Sequence, residues 1–187
     1  APAAAAAAAL GPETYLKPRV KASECVREIS GFIGKMSRDA RRCMPAYLHR
    51  HLFSQVFQHA SDHILQLLSC SAVSRFNLLS ILQLKADIDY LKEVAVCTLE
   101  DGEVDYLFAS LDQVLDYMLT CLPESILDPK VKHSLYPQVQ NPTLGRLLLK
   151  YQEMSSQKGS TSSSNLVPNP PTKQQVDAVA QKLLANL

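Results

Sequence analysis

The sequence predicts an all-α protein, an elongated antiparallel helical bundle or a stacked helical rod. Three observations predict it. Long segments repeat apolar residues at three- and four-residue steps, the period of a helix with one buried face. Prolines and short polar turns separate these segments, which places successive helices antiparallel. No segment shows the apolar–polar alternation of a strand, and the one DG pair, Asp101–Gly102, joins two helical patterns rather than two strands.

Pro18 opens the first periodic segment. Val20, Cys25, Val26, Ile29, Phe32, Ile33 and Met36 predict a helix over 19–36, in which Gly31 and Gly34 leave room for another helix to approach. Pro45 starts the second helix, which runs to Ser69. Its core stripe reads Leu48, Leu52, Val56, Ala60, Ile64 and Leu67, flanked by Phe53, Phe57 and Leu68. A third helix covers 72–97. The turn signal EDGE, Glu100 to Glu103, follows it. Leu107, Phe108, Leu111, Val114, Leu115, Met118, Leu119 and Leu122 then predict a fourth helix that Pro123 ends.

The stretch from 123 to 140 holds three prolines and reads as irregular, with room for a helical turn from Ser125 to His133. In NPTLGRLLLKYQEM, Asn141 is a capping residue and Pro142 takes the first helical position, where no N–H is missed. The polar, proline-rich stretch after it reads as a flexible linker. Thr172 then caps a short last helix whose Val176, Val179, Ala180 and Leu183 share a face. The domain map is a low-complexity tail over 1–17, a helical bundle over 18–155, a linker over 156–171 and a terminal helix over 172–187. The chain begins at alanine and is read as a processed or excised piece of something longer.

Composition narrows the function classes. A net charge of +1, from 19 basic and 18 acidic residues, lacks the basic excess of a nucleic-acid binder. No apolar run is long enough to span a bilayer. The five cysteines, Cys25, Cys43, Cys70, Cys97 and Cys121, form no CxxC pair and lie in or beside apolar stretches; they read as small buried hydrophobes in a reducing compartment. No glycine motif cradles phosphate, and no GxSxG elbow is present. An enzyme is therefore not expected, and neither is a cofactor. His59 and His63, at i and i+4 with Asp62 and His49 or His51 nearby, are the metal-binding alternative, but no second ligand pair accompanies them. The basic clusters KPRVK and Arg38 to Arg42 are read as a solvated helix junction, with weak peripheral contact to anionic membranes as the functional alternative.

The segment SRFNLLSIL is the unusual one. Phe76, Leu78, Leu79, Ile81 and Leu82 make it apolar on nearly every side, and Asn77 sits among them. On a wheel over 73–94, Asn77 shares a stripe with Val73, Ile81, Leu84, Ile88 and Leu91, while Lys85, Asp89, Lys92 and Glu93 mark the solvent side together with Leu78 and Leu82. Two readings stand. In one, Asn77 pairs inside the core and another helix covers the leucines. In the other, this part of the helix is an exposed apolar patch with a polar specificity point, the signature of a partner surface.

A resemblance bears on the choice. FNLLSILQLKADIDYLKEVA, FASLDQVLDYML, YPQVQNPTLGRLLLKYQEMSSQKG and the last helix KQQVDAVAQKLL match, in order and spacing over 72–187, the C-terminal end of the Sec-fifteen subunit of the exocyst. The family's FNLD is FNLL here, with Leu79 where an acid is common, and its animal members' tryptophan-rich acidic segment is replaced by CLPESILDPK. The resemblance implies a non-enzymatic helical tethering subunit in the cytosol, peripherally associated with secretory vesicles and the plasma membrane. It implies a GTP-loaded Rab GTPase and other exocyst subunits as partners. The partner-binding residues are then Phe76, Asn77, Leu78, Ile81, Leu82 and Lys85. A purely structural scaffold packing against other tether subunits is the alternative.

Overall fold

A computed structural model describes residues 20–100, 104–120, 122–152 and 171–185. The predicted tail over 1–17 and all of the predicted linker but Pro171 lie outside the described residues. The described chain is all-α, as expected, and its only β feature is an isolated parallel bridge between Phe76 and Tyr151. The helices are α1 (Glu24–Cys43), α2 (Ala46–Ser69), α3 (Leu78–Leu99), α4 (Asp105–Met118), α5 (Pro129–Leu135), α6 (Asn141–Leu148) and α7 (Lys173–Ala185), with a 3-10 turn at Pro123–Leu127.

The helices α2, α3 and α4 pack on one another, α1 lies chiefly on α3, and α6 and α7 pair at the side of α2 and the 3-10 turn. Phe57 of α2 and Phe108 of α4 meet at the centre with ring centroids 6.3 Å apart. Ile88, Leu111, Leu115, Leu144 and Leu147 complete a single core that reaches from α3 to α6. Each such side chain contributes roughly 1.5–3 kcal/mol on burial. The core ends in a polar clamp. Tyr117 is buried, donates its hydroxyl to the Pro123 carbonyl at 2.5 Å and meets Tyr136 edge-on at 5.5 Å.

Several expectations need correction. The first helix starts at Glu24, where Ser23 caps it by accepting the Val26 amide at 3.4 Å, and it continues through the basic cluster to Cys43. Arg38 to Arg42 is therefore the end of α1 and not a junction. There, Arg41 reaches across to the Glu100 carboxylate and to the Thr98 carbonyl. Nor do the glycines of α1 mediate a close approach. A Cβ at Gly31 would meet nothing within 4 Å, and at Gly34 only the Arg38 side chain. The buried small residues of α1 are Ser30 and Ser37. The tight glycine is Gly145, where a Cβ would lie 2.8 Å from Leu184 Cγ. Three described cysteines, Cys25, Cys43 and Cys97, are exposed rather than buried.

The face of α2 is also different. His49, Phe53, Phe57 and Ser61 are buried, whereas Leu48, Leu52 and Leu67 are exposed and Val56 is 39% exposed. The expected stripe and the real one are neighbours on the same helix. Both are apolar, and the core took the aromatic one. His49 is buried because it has a partner: its Nε2 and the Ser37 hydroxyl are 2.8 Å apart. Burial, and then the Arg41 charge, hold the His49 pKa below its ordinary value against the opposing Ser37 hydrogen bond and Glu100 carboxylate.

Candidate functional site

The third helix does not begin at 72. It begins at Leu78, and Asn77 is its N-cap. Asn77 has extended backbone angles, φ −123° and ψ 173°, so it stands outside the helix. Its Oδ1 accepts the Ser80 amide at 2.9 Å, and the Ser80 hydroxyl accepts the Asn77 amide at 3.0 Å. This reciprocal pair is a capping box with serine in the third helical position, and it satisfies orphan donors at the start of α3. The asparagine in an apolar run is thus neither a core polar group nor a mid-helix residue. The wheel misplaced it because the helical phase was carried back to 73, through a segment that is turn and loop.

The cap orders the hydrophobic residues around it. Phe76 and Ile81 occupy the positions of a hydrophobic staple, just before the cap and four into the helix, and both are buried. Leu78, expected on the solvent side, is 2% exposed. Asn77 and Leu82 are half-buried. The large apolar side chain that the first turn offers to solvent is Leu79, 38% exposed, beside the exposed Ser80. The wheel over 73–94 gave Leu79 to neither side. The signal that would have found it was the cap, since the staple it sets up takes Phe76 and Ile81 inward, and Leu79, two residues before Ile81, then falls on the opposite side of the helix. Asn77 Oδ1 caps the helix, and its Nδ2 has no partner among the described residues.

Lys85, expected to be solvated, is half-buried between α3 and α4. Its ammonium lies 2.8 Å from Asp112, 3.0 Å from Asp116 and 3.7 Å from Asp89. Lys92 extends the seam to Asp112 and to Asp105, the latter at 2.9 Å. Burial alone would lower the pKa of Lys85, but the hydrogen bond to Asp112 and the charge of Asp116 outweigh it and hold the pKa above the ordinary lysine value. The same balance, with Asp112 and Asp105, raises that of Lys92. Desolvation offsets much of the Coulomb attraction in such a seam, so removing one partner costs more than the pair contributes. The Lys85 charge is spent inside the bundle.

Of the six residues expected to bind a partner, the structure gathers all on the first two turns of α3 or just before them. It places Phe76, Leu78 and Ile81 beneath the surface and leaves Asn77, Leu82 and Lys85 partly accessible. His59 and His63 lie apart on α2 with stacked rings, centroids 6.0 Å apart. Among the described residues, no group of three or more histidine, cysteine and acidic side chains is placed to hold a metal. No described helix is long and apolar enough to cross a membrane.

Residues 14–150 match the family model described as "Exocyst complex subunit Sec15 C-terminal". The chain belongs to that family. The match spans the capped start of α3 and ends at Lys150, directly after α6. Exocyst complex component 6 of Dictyostelium discoideum, a curated relative, is 30% identical over 129 residues, which is 64% of this chain and 12% of that protein. The chain thus spans about an eighth of that relative's length. No solved structure matches it. The Sec-fifteen resemblance of the sequence and the all-α architecture therefore agree.

Proposed function

We propose that this chain is a non-enzymatic part of an exocyst-like complex that tethers secretory vesicles, and that the start of α3 binds a Rab GTPase in its GTP form. Membership of the Sec-fifteen family supports the tethering role. One observation carries the choice of surface. The first turn of α3 presents Leu79 to solvent, with an Asn77 Nδ2 that has no partner among the described residues next to it and a buried base of Phe76, Leu78 and Ile81 below. An apolar group beside an unspent donor on a rigid helix start suits a protein partner. GTP orders the switch loops of a GTPase, and only ordered loops offer a fixed surface to such a turn. The complex works by recruitment in the cytoplasm, at vesicle and plasma membranes, and is reversible.

The test is a pull-down with the purified chain against a panel of Rab GTPases in GTP-locked and GDP-locked forms. Retention of one or a few in the GTP form alone is expected. Retention of none, or equal retention of both forms, overturns the reading.

A second reading rests on a different face. Ile29 and Met36 of α1 are exposed, Phe32 is 63% exposed, and Leu48, Leu52 and Val56 of α2 are exposed as well. Six large apolar groups left on two adjacent helices suit packing against another tether subunit. The two readings use different surfaces, and both roles fit one chain. Cross-linking of the assembled complex at Cys25 and Cys43, which are exposed on α1, tests the second. Cross-links to a neighbouring subunit are expected; their absence in the intact complex contradicts it.

A further inference from the structure

We propose that Lys150 is the positioning residue of the candidate partner surface: it closes the loop between α2 and α3 and so fixes where the Phe76–Asn77 turn enters the third helix. For its functional consequence this rests on the proposed GTPase reading; the positioning itself does not.

The loop runs from Ser71 to Arg75, and Lys150 is bonded to both of its ends. At one end, the Lys150 ammonium donates to the Leu68 carbonyl at 2.6 Å and to the Cys70 carbonyl at 2.5 Å. Leu68 lies in the last turn of α2, whose carbonyls have no partner within the helix. Other local groups serve its neighbours: the Cys70 amide takes the Gln66 carbonyl and the Cys70 thiol takes that of Leu67. A cation is the favoured group at this end of a helix, because the peptide dipoles place partial negative charge there.

At the other end, the Lys150 carbonyl accepts the Phe76 amide at 3.1 Å, and the next amide but one, Gln152, donates to the Phe76 carbonyl at 2.8 Å. Both backbone groups of Phe76 are thereby satisfied from one short segment. This is the parallel bridge of Phe76 with Tyr151. Phe76 immediately precedes the cap, so its placement sets the direction of the capping turn. The segment is itself anchored. Tyr151 is buried and donates to the Pro171 carbonyl at 3.2 Å, and Lys173 donates to the Leu149 carbonyl at 2.9 Å.

Loop 71–75 is largely exposed and has little burial of its own to hold it. With the ammonium removed, two carbonyls at the end of α2 lose their donor and the loop is tied at one end only. The turn then samples other entry angles. A partner that needs one angle binds only the competent fraction, and its apparent affinity falls by that fraction.

The experiment compares wild type, Lys150→Met and Lys150→Arg. Amide hydrogen exchange at Phe76 and Gln152 is read against Leu111 in the core of α4, and affinity is read for a GTP-locked Rab that the panel retains. Lys150→Met is expected to speed exchange at Phe76 and Gln152 at least about tenfold with Leu111 unchanged, and to weaken GTPase binding about tenfold. Lys150→Arg keeps the charge and several donors and is expected to recover both. A purely structural role would speed exchange at all three sites together. Unchanged exchange at Phe76 and Gln152, or equal acceleration at Leu111, overturns the proposal. Altered exchange with undiminished GTPase binding overturns its functional half. Altered exchange with no GTPase bound even by wild type leaves the positioning role standing and removes the GTPase reading. If Lys150→Met does not fold, Lys150→Gln, which keeps a donor without charge, is judged by the same criteria.

Discussion

Asn77 and Ser80 cap each other: the asparagine oxygen accepts the serine amide at 2.9 Å, and the serine hydroxyl accepts the asparagine amide at 3.0 Å. A residue that looks like a polar intruder in an apolar helix is the residue that starts the helix. Asn77→Ala removes the acceptor and is expected to cost about 0.5–2 kcal/mol, while Asn77→Asp keeps an acceptor and costs little. Chemical denaturation of the two variants checks this. Equal stability of Asn77→Ala and wild type would mean that the capping box contributes nothing.

Which face of α2 is buried gives a second test, with Leu111 of α4 as the core reference. Leu111 is 0% exposed, so Leu111→Ala leaves a cavity and is expected to cost about 2–5 kcal/mol. Val56 is 39% exposed, so Val56→Ala is expected to cost less than about 1 kcal/mol. Comparable losses at the two positions in denaturant titrations would place Val56 in the core after all.

This contrast marks what was legible in the sequence. The order of the long helices followed from periodicity and proline, because both are local. The limits of α2 agree to within a residue for that reason. Which stripe of α2 faces inward was not legible, since Leu48–Leu52–Val56 and His49–Phe53–Phe57 are adjacent faces and His49 counts as polar until Ser37 is seen beside it. The start of α3 was misread because Asn77 was given a place on a wheel before it was tested as a cap. The Lys85–Asp112 pair and the Lys150 carbonyl contacts join residues 27 and about 80 positions apart, respectively. No local pattern encodes them.

Gly145 tests the docking of the last helix. A Cβ there would lie 2.8 Å from Leu184 Cγ and 3.0 Å from its Cδ2, with the Ala180 carbonyl at 3.4 Å. The helix-propensity gain of Gly145→Ala, about 1 kcal/mol, is outweighed where the neighbour cannot move, and overpacking costs about 1–3 kcal/mol. Gly145→Ala is expected to lower the melting temperature, and Leu184→Ala in the same chain is expected to recover part of the loss. A Gly145→Ala variant more stable than wild type would mean that α7 shifts freely on α6.

His49 sets a pH dependence. Its folded pKa lies below its unfolded value of about 6.5 because burial and Arg41 disfavour the imidazolium. Below pH about 6.5 the unfolded chain binds the proton more readily, so stability is full above that pH and is lost as pH falls toward the folded pKa. His49→Gln, which keeps a donor and an acceptor for Ser37, is expected to flatten this slope. Melting temperatures of the two proteins between pH 7.5 and 5 check it; parallel curves would mean that His49 does not contribute.

The central claim is that the capped first turn of α3 is the surface a GTP-loaded Rab recognises. The most direct measurement is a calorimetric titration of wild type and Asn77→Asp with one GTP-loaded Rab, with melting temperatures taken on the same preparations. Aspartate caps the helix as asparagine does but has no amide nitrogen to donate. The account predicts an unchanged melting temperature and roughly tenfold to hundredfold weaker binding, the loss of one hydrogen bond in a desolvated contact. Equal affinity of the two proteins at equal melting temperature would contradict it, and would move the partner surface away from Asn77.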